Sequence, residues 1–227
     1  MIGEPIALTI RRNIQRPQAA VLAEFAGAPS GFVTDAQNSK GCMDYRVKPL
    51  TPDMYVCGPA VTVLCPPGDL IGVMAVLDFV EKGDVIVIAG GNDTLAAKLG
   101  DLWVHWARRL GVAGIICDGL VRDVNGILSA NLPVFARGIA PNAGLKNGPG
   151  AINTVVSCAG ISVSPGDIVV GDRDGVVVVP LIDIDTTVEQ LREVKKKEAE
   201  AEAKVKRGDK LQFWSEESIK GRVRYLD

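Results

Sequence analysis

Short apolar segments alternate with turns along this chain, and the spacing of the apolar residues predicts both helices and strands. Apolar residues recur at helical spacing in 19–27, 74–83 and 102–111, and Gly111 suits a helix C-terminal cap. Runs rich in Val and Ile predict strands over 60–65, 84–90, 113–119, 133–139, 154–163, 167–172 and 175–180. This mixture indicates an α/β fold, with too many short strands late in the chain for a simple doubly wound sheet.

The composition changes at Thr186, where apolar residues become sparse and charged residues dominate. The segment TTVEQLREVKKKEAEAEAKVK (186–206) predicts a helix, because Ala, Glu, Lys and Arg favour helices. Its narrow apolar face is compatible with a solvated surface helix, or with a helix that reaches onto a neighbouring subunit. We therefore expect one α/β domain over 1–182, which carries the candidate chemistry, and a helical tail over 183–227.

Composition also limits the partners and the compartment. With 227 residues, of which 47% are hydrophobic, the chain is large enough for one sizeable core. The formal net charge of -2 and the lack of a basic stripe argue against a nucleic-acid or membrane-surface partner. Residues 1–17 carry charge where a signal peptide needs an apolar core, and no apolar run reaches membrane-spanning length. We expect a cytoplasmic protein with small-molecule or protein partners.

Cysteine and histidine offer little chemistry here. The chain has five cysteines without CxxC spacing, which predicts neither a disulfide framework nor a zinc site, and each is expected to be a small buried residue. The single histidine, His105, lies between two tryptophans in a helical segment, where it is expected to pack rather than to act as a ligand or base. A histidine-based catalytic triad would therefore depend on this one residue.

The clearest candidate for chemistry is GDLWVHWARRLGVAGIICDGLVRD (100–123). A helix over 101–110 rises about 15 Å, and a strand that begins at Ala113 returns by about 17–20 Å. Because the two lengths nearly cancel, we expect Arg122 and Asp123 to lie near the N-terminus of the helix.

These residues together would suit an α-keto acid. The N–H groups in the first turn of a helix favour an anion, and Arg122 adds a guanidinium that clamps a carboxylate with two hydrogen bonds. Asp123 suits a hard divalent cation such as magnesium, which takes most of its remaining ligands from water and substrate oxygens.

Simpler interpretations of the same residues stay open. Asp101 is either a helix N-cap or, if the helix begins at Thr94, an exposed acid in mid-helix. Arg122 and Asp123 are equally consistent with a turn that carries a surface ion pair of little energetic value.

Two other polar segments have structural interpretations. The segment GDRDGV contains Asp172, Arg173 and Asp174, but it joins two Val-rich runs and predicts a turn between strands. Lys146, in GLKNGP, lies in a loop that could meet a distal substrate carboxylate, although a surface lysine is the simpler interpretation. We leave the three residues of GDRDGV out of the candidate site.

Segments spread over most of the chain carry a family resemblance. They are RRNIQRP (11–17), CGPAVTV (57–63), EKGDVIVIAG (81–90), the stretch 100–123, PVFARGI (133–139) and CAGISVSPGDIVVGDRDGVVVVP (158–180). Together they resemble the class II, divalent metal-dependent pyruvate aldolases, and more narrowly the 4-hydroxy-4-methyl-2-oxoglutarate / 4-carboxy-4-hydroxy-2-oxoadipate aldolases.

One pattern is diagnostic within this resemblance: an Asp, twenty intervening residues, and then Arg-Asp. Here these residues are Asp101, Arg122 and Asp123. The related regulators of ribonuclease E activity share the fold and the Arg-Asp but typically lack the first Asp. The presence of Asp101 therefore favours the enzymatic branch.

The resemblance implies a role for each of these residues. Asp123 would coordinate Mg²⁺ or Mn²⁺, while Arg122 would contact the keto oxygen and stabilise the developing enolate. Asp101 would transfer a proton through water bound to the metal. The substrate carboxylate would lie against the backbone of four residues, Gly100, Asp101, Leu102 and Trp103.

The resemblance also implies a second subunit at the site. Glu198 matches an acid that, in this family, reaches the active site of the adjacent subunit. Glu200 or Glu202 could be the true counterpart, and a solvated helix glutamate is the simpler alternative. The implied assembly is a trimer or a dimer of trimers, and the implied fold is a layered α/β/β/α sandwich of the swivelling β/β/α type with a C-terminal helical tail.

The activity that the resemblance implies is metal-dependent retro-aldol cleavage of a 4-hydroxy-2-oxo diacid, which releases pyruvate through an enolate. Oxaloacetate decarboxylation forms the same enolate and is expected as a second activity. The alternative is a non-catalytic protein-binding regulator of ribonuclease activity. Residues 31–44 and 68–76 depart most from the narrow aldolases, so the natural hydroxy acid stays open.

Overall fold

The structure is a computed structural model that describes residues 6–226. The α-helices of this range are α1 (Ala19–Phe25), α2 (Ser30–Ala36), α3 (Ile71–Val76), α4 (Asp101–Arg109), α5 (Val124–Ser129) and α6 (Ile184–Arg207). Its strands are β1 (Leu8–Ile10), β2 (Lys48–Pro49), β3 (Val56–Leu64), β4 (Val85–Ala89), β5 (Ala97–Leu99), β6 (Gly114–Val121), β7 (Val134–Ile139), β8 (Gly150–Ile152), β9 (Val156–Cys158), β10 (Ile161–Val163), β11 (Ile168–Asp172) and β12 (Gly175–Val179).

The central sheet has the strand order β1-β8-β3-β4-β6-β7-β2. Its middle strands β3, β4, β6 and β7 are parallel, as expected where helices connect successive strands. Strand β3 belongs to two sheets: its first half pairs antiparallel with β11, and its second half pairs parallel with β4. Because β11 pairs in turn with β12, β3 connects the central sheet to a second layer of strands.

The middle strands are buried on both faces, which explains their nearly continuous Val and Ile runs. In β4, Ile86 and Ile88 face one apolar cluster, which contains Val104 and Ala107 of α4. The alternate β4 residues face a second cluster, which includes residues of β9, β10, β11 and β12. Helix α2 packs on the far side of β11 and β12. The fold is therefore the layered α/β/β/α sandwich that the resemblance predicted.

Some sequence-predicted elements differ in the structure. The segment 74–83, predicted as one helix, contains the end of α3 and a single 3-10 turn at Leu77–Phe79. The strand predicted over 154–163 is broken into β9 and β10, because Ala159 and Gly160 both adopt positive φ, at 48° and 85°, and turn the chain. The cysteines also differ from expectation, since Cys42 is exposed and Cys57 is only partly buried.

The long C-terminal helix α6 begins at Ile184 and was predicted from its composition. Its first turns are packed, with Ile184, Thr187 and Leu191 buried. The chain divides into two compact units, of which the first ends at Leu191 and the second begins at Arg192. The predicted division into 1–182 and 183–227 stays a prediction. Within residues 6–226, no helix combines the length and the apolar character needed to cross a bilayer.

A buried ion pair fastens the N-terminal segment to the sheet. The Asp84 carboxylate, which is fully buried, accepts hydrogen bonds of 2.8 Å from both Arg16 Nε and Arg16 Nη2. It also accepts a 2.6 Å bond from the Glu81 N–H. The hydrogen bond to Asp84 raises the pKa of the Arg16 guanidinium, against the effect of its partial burial. Removing Arg16 would leave a buried carboxylate without its cation.

We expect Arg16→Met to lower the free energy of unfolding by about 3 kcal/mol, because the Asp84 charge would stay buried and unpaired. Urea unfolding at neutral pH measures the change. The matched control is Arg12→Met, at an exposed arginine of the same segment, with an expected change within about 0.5 kcal/mol. Equal effects of the two substitutions would show that the ion pair contributes nothing specific.

Candidate active site

The turn between β6 and α5 carries Arg122 and Asp123 to the start of α4. The Arg122 N–H donates a 3.1 Å hydrogen bond to the Leu99 carbonyl, which ties the end of β6 to the residue before Gly100. Asp123 then adopts the left-handed conformation, with φ 59° and ψ 41°, and serves as the N-cap position of α5. Asp is one of the few residues that tolerate this conformation. The predicted return of the strand to the helix N-terminus is confirmed.

Gly100 makes the close approach of these residues possible. A Cβ atom on Gly100 would lie 2.5 Å from Asp123 Oδ2 and 3.3 Å from Arg122 Nε, closer than side-chain atoms normally approach. The Gly100 backbone is extended, so space rather than backbone conformation excludes a larger residue. Arg122 Nε lies 3.3 Å from Asp123 Oδ2, and the two side chains are 43% and 46% exposed. Both groups are therefore accessible to a ligand over Gly100.

Asp101 is the first residue of α4, and its carboxylate lies against α5. Gly100 occupies the N-cap position, so the alternatives of Asp101 as an N-cap and of a helix that begins at Thr94 are both wrong. Asp101 Oδ1 accepts a 2.7 Å hydrogen bond from the Leu102 N–H. That N–H is available to a bound anion only if the Asp101 carboxylate releases it.

Gly126, in the first turn of α5, is a site residue that sequence reasoning missed. A Cβ atom on Gly126 would collide with the Asp101 carboxylate and would lie 2.5 Å from Asp101 Cβ. A glycine inside a helix costs up to about 1 kcal/mol relative to alanine, and such a glycine often marks a close approach. Its position in VNGILS was therefore a usable signal, but the partner could not be read from the sequence.

A cavity of about 290 Å³ opens in front of these residues. It is lined by Leu70, Val73, Met74, Ala97, Lys98, Leu99, Gly100, Asp101, Leu102, Trp103, Arg122, Asp123, Ala143, Gly144 and Lys146. The Trp103 indole is fixed by a 2.9 Å hydrogen bond from its Nε1 to the Val73 carbonyl, whereas Leu102 is 82% exposed. The four backbone residues predicted to hold a substrate carboxylate thus all reach one cavity.

The donor set of this cavity fits some metals better than others. Within residues 6–226, no three His, Cys, Asp or Glu side chains gather as an ion-binding group, which does not match a closed zinc cage. Asp123 presents one accessible carboxylate beside the cavity. Magnesium is commonly held by one or two carboxylates, with water and substrate oxygens as its other ligands. The residues present fit a magnesium-type ion at Asp123.

The other predicted residues lie in different places. Glu198 is exposed on α6 in the second compact unit, and its role at a neighbouring subunit's site stays a prediction. Lys146 is exposed and lines the cavity, whereas Asp174 lies in the turn between β11 and β12. His105 is exposed on α4, where its Nε2 lies 3.3 Å from Ser129 Oγ.

Known families and proteins match this chain in sequence. The family model described as Aldolase/RraA matches residues 31–178. A protein of Halalkalibacterium halodurans named "Putative 4-hydroxy-4-methyl-2-oxoglutarate aldolase" is 37% identical over 183 residues, which cover 81% of this chain and 86% of that protein. The matched residues 31–178 include the cavity and the turn that carries Arg122 and Asp123.

Several solved structures have a similar fold. An uncharacterized protein from Pseudomonas syringae pv. tomato matches with a TM-score of 0.77 and 26% identity, over 87% of this chain and 97% of that chain. Streptomyces coelicolor RraAS2, described as an unusual member of the RNase ES inhibitor RraA protein family, matches with a TM-score of 0.75 and 25% identity. That match covers 83% of this chain and 100% of the Streptomyces chain.

We expect Gly126→Ala to lower the free energy of unfolding by about 1–3 kcal/mol, because the added methyl group overpacks α5 against Asp101. The control is Gly31→Ala in α2, where an added Cβ meets nothing within 4 Å. That change should raise the free energy of unfolding by up to about 1 kcal/mol through helix propensity. Urea unfolding measures both, and a stabilising Gly126→Ala would contradict the close approach of α4 and α5.

Proposed function

Because this chain belongs to the Aldolase/RraA family, we propose that it is a carbon–carbon lyase that cleaves a 4-hydroxy-2-oxo diacid and releases pyruvate. The observation that carries this proposal is the convergence of Asp101, Arg122 and Asp123 around Gly100 at one cavity. The name of the Halalkalibacterium relative supports the same activity. A substrate of the 4-hydroxy-4-methyl-2-oxoglutarate or 4-carboxy-4-hydroxy-2-oxoadipate type is small enough for a cavity of about 290 Å³.

The proposal includes Mg²⁺ or Mn²⁺ as cofactor, held by the Asp123 carboxylate. When bound, such an ion supplies a Lewis acid that polarises the keto group of the substrate. Asp123 is suited to bind the ion, because its left-handed backbone directs its carboxylate toward the cavity and Gly100 has no side chain to block it. No Schiff-base lysine is needed in this scheme.

Asp101 transfers the proton in the proposed reaction, and Arg122 stabilises the enolate. Asp101 accepts the proton of the C4 hydroxyl group, through an intervening water molecule, as a carbonyl forms at C4. The C3–C4 bond breaks, and its electron pair becomes the pyruvate enolate. Arg122 donates hydrogen bonds to the keto oxygen and stabilises the negative charge that develops there. Protonation at C3 then completes the release of pyruvate. Loss of carbon dioxide from oxaloacetate gives the same enolate, so decarboxylation is proposed as a second activity.

Binding requires groups at both ends of the substrate. The pyruvate carboxylate would lie at the first turn of α4, where backbone N–H groups and the helix dipole favour an anion. Lys146, on the loop at another wall of the cavity, would meet the distal carboxylate. The first turn of α4 and Lys146 thus provide one group for each carboxylate of a diacid.

We also propose that the functional unit is a trimer or a dimer of trimers, with Glu198 contributed by a neighbouring subunit. Exposed apolar side chains beside the cavity support this assembly, because contact with a neighbouring subunit would remove them from water. Leu102 lines the cavity and is 82% exposed, and Trp106, one turn later in α4, is 54% exposed. Leu145, between two residues of the cavity wall, is 66% exposed.

We expect the wild-type protein to release pyruvate from oxaloacetate and from 4-hydroxy-4-methyl-2-oxoglutarate when Mg²⁺ or Mn²⁺ is present, and to lose this activity in chelator. Asp123→Asn should reduce kcat/KM by about 100-fold or more, because the neutral amide is a poor ligand for a hard cation. It should also weaken Mn²⁺ binding in calorimetry.

The matched control is Asp174→Asn, at an exposed acid in the turn between β11 and β12. It should retain wild-type turnover and Mn²⁺ binding. A wild-type protein that binds the metal but turns over neither substrate would contradict the lyase proposal, and would favour the non-catalytic regulator of ribonuclease activity.

Mixed oligomers test whether Glu198 acts across subunits. Glu198→Gln and Asp123→Asn proteins should each be nearly inactive alone. Subunits of the two variants, co-expressed with different tags and purified through both, should recover about a quarter to a third of wild-type activity, because some sites then combine an intact Asp123 with an intact Glu198 from another chain. Pyruvate release from the purified mixed oligomer measures the recovery.

Glu200→Gln and Glu202→Gln serve as controls for the choice of acid, because both lie on the same exposed part of α6. A Glu200→Gln or Glu202→Gln protein that is inactive alone, and that recovers activity when mixed with Asp123→Asn, would reassign the role. An active Glu198→Gln homo-oligomer would remove Glu198 from the site.

A further inference from the structure

Three charged side chains that the proposed mechanism does not use are buried beside the cavity. We call Asp69, Asp93 and Lys98 the anchoring cluster. Lys98, on β5, is only 1% exposed, and its Nζ donates to Asp93 Oδ2 at 2.7 Å. It also donates to the carbonyls of Pro66 at 3.1 Å and of Asp69 at 3.2 Å. An ammonium group has three N–H donors, so Lys98 has none left for a substrate.

The two carboxylates of the anchoring cluster bind backbone N–H groups. Asp93 accepts hydrogen bonds from the N–H groups of Gly68 at 2.6 Å and of Leu95 at 2.7 Å. Burial by itself would raise the pKa of Asp93, but these bonds and the Lys98 ammonium outweigh burial and lower it. Asp93 is therefore an ionised group that fastens its own loop to the 66–70 loop.

Asp69 fastens a second loop in the same way. Its Oδ2 accepts hydrogen bonds from the N–H groups of Asn147 at 2.6 Å and of Gly148 at 2.9 Å, and its Oδ1 accepts one from Ile71 at 2.7 Å. Burial again opposes ionisation, but the three N–H groups lower the pKa of Asp69. The residues that Asp69 holds directly follow Lys146.

These loops form two walls of the cavity. Leu70 on one side and Gly144 and Lys146 on the other all line it. The two loops also run alongside each other, because the Leu145 N–H donates to the Gly68 carbonyl at 2.7 Å and the Leu70 N–H to the Leu145 carbonyl at 2.8 Å. A change in the anchoring cluster would therefore move the wall that carries Lys146.

Stability alone does not account for three buried charges. Replacing buried ionic groups by apolar residues of similar volume is often neutral or stabilising, so a buried ion pair is weak evidence of a stabilising role. We propose that the anchoring cluster is a positioning device, which fixes residues 142–148 against residues 66–70 and so sets the position of Lys146 in the cavity. The part of this inference that concerns substrate binding rests on the proposed lyase function.

The test compares Asp69→Asn with Asp167→Asn. An asparagine at position 69 would direct an N–H donor toward the N–H groups that Asp69 now binds. Asp167 is a matched control, because it is also buried and accepts hydrogen bonds from the N–H groups of Ser164 and Leu181, but neither of these residues lines the cavity. Trypsin cleavage after Lys146, followed by mass spectrometry of the native protein, reports the freedom of the loop without any assay of activity.

We expect Asp69→Asn to accelerate cleavage after Lys146 by about tenfold, and Asp167→Asn to leave it unchanged. If the lyase function holds, Asp69→Asn should raise KM for the diacid by about tenfold with kcat within about twofold. A purely structural defect would instead lower the amount of folded protein in both variants and leave KM unchanged.

A second variant changes the Asp93–Lys98 ion pair of the anchoring cluster and leaves Asp69 intact. The double substitution Asp93→Asn with Lys98→Met removes both charges of the ion pair while keeping similar shapes. Hydrogen exchange at the N–H groups of Asn147 and Gly148 should accelerate both in this variant and in Asp69→Asn. Unchanged cleavage and exchange in both variants would overturn the positioning role, whether or not the protein is a lyase. Faster cleavage in a protein without lyase activity would support the positioning role and reject the proposed function.

Discussion

The candidate site depends on one close approach, that of the β6–α5 turn to the backbone of Gly100. The hydrogen bond from the Arg122 N–H to the Leu99 carbonyl fixes the distance between the two segments. At that distance only a glycine fits at position 100, and Asp123 needs a left-handed backbone to present its carboxylate. A residue with a Cβ at position 100 would displace the very groups that the proposed chemistry requires.

The part of the fold with strong periodicity could be predicted from the sequence. The helix that begins at Asp101 and the strand that follows Ala113 have lengths that nearly cancel, and this placed Arg122 and Asp123 correctly. The short elements α2, α5, β5 and β8 were not predicted, because three to seven residues contain too little periodicity. The break between β9 and β10 depends on two positive φ angles, and only the glycine of that pair gives a sequence signal.

The site was predictable only where its residues are close in sequence or form a family pattern. Asp101, Arg122 and Asp123 belong to one helix–strand unit, so their proximity followed from simple geometry. Gly126 and the anchoring cluster were missed, because their importance arises from contacts that the linear pattern does not encode. Asp69 binds residues that lie almost eighty positions later, so no local pattern distinguishes it from an ordinary loop acid.

The pairing of strand β3 with both β4 and β11 also affects the order in which the chain folds. Its second half pairs with β4, about twenty-five residues away, but its first half pairs with β11, more than a hundred residues later. Contacts at such separation carry a large loop-closure entropy and slow folding. During synthesis, the N-terminal half of β3 has no partner until β11 has left the ribosome. Until then this chain exposes an apolar strand edge, and its nascent form is most vulnerable to aggregation during that interval.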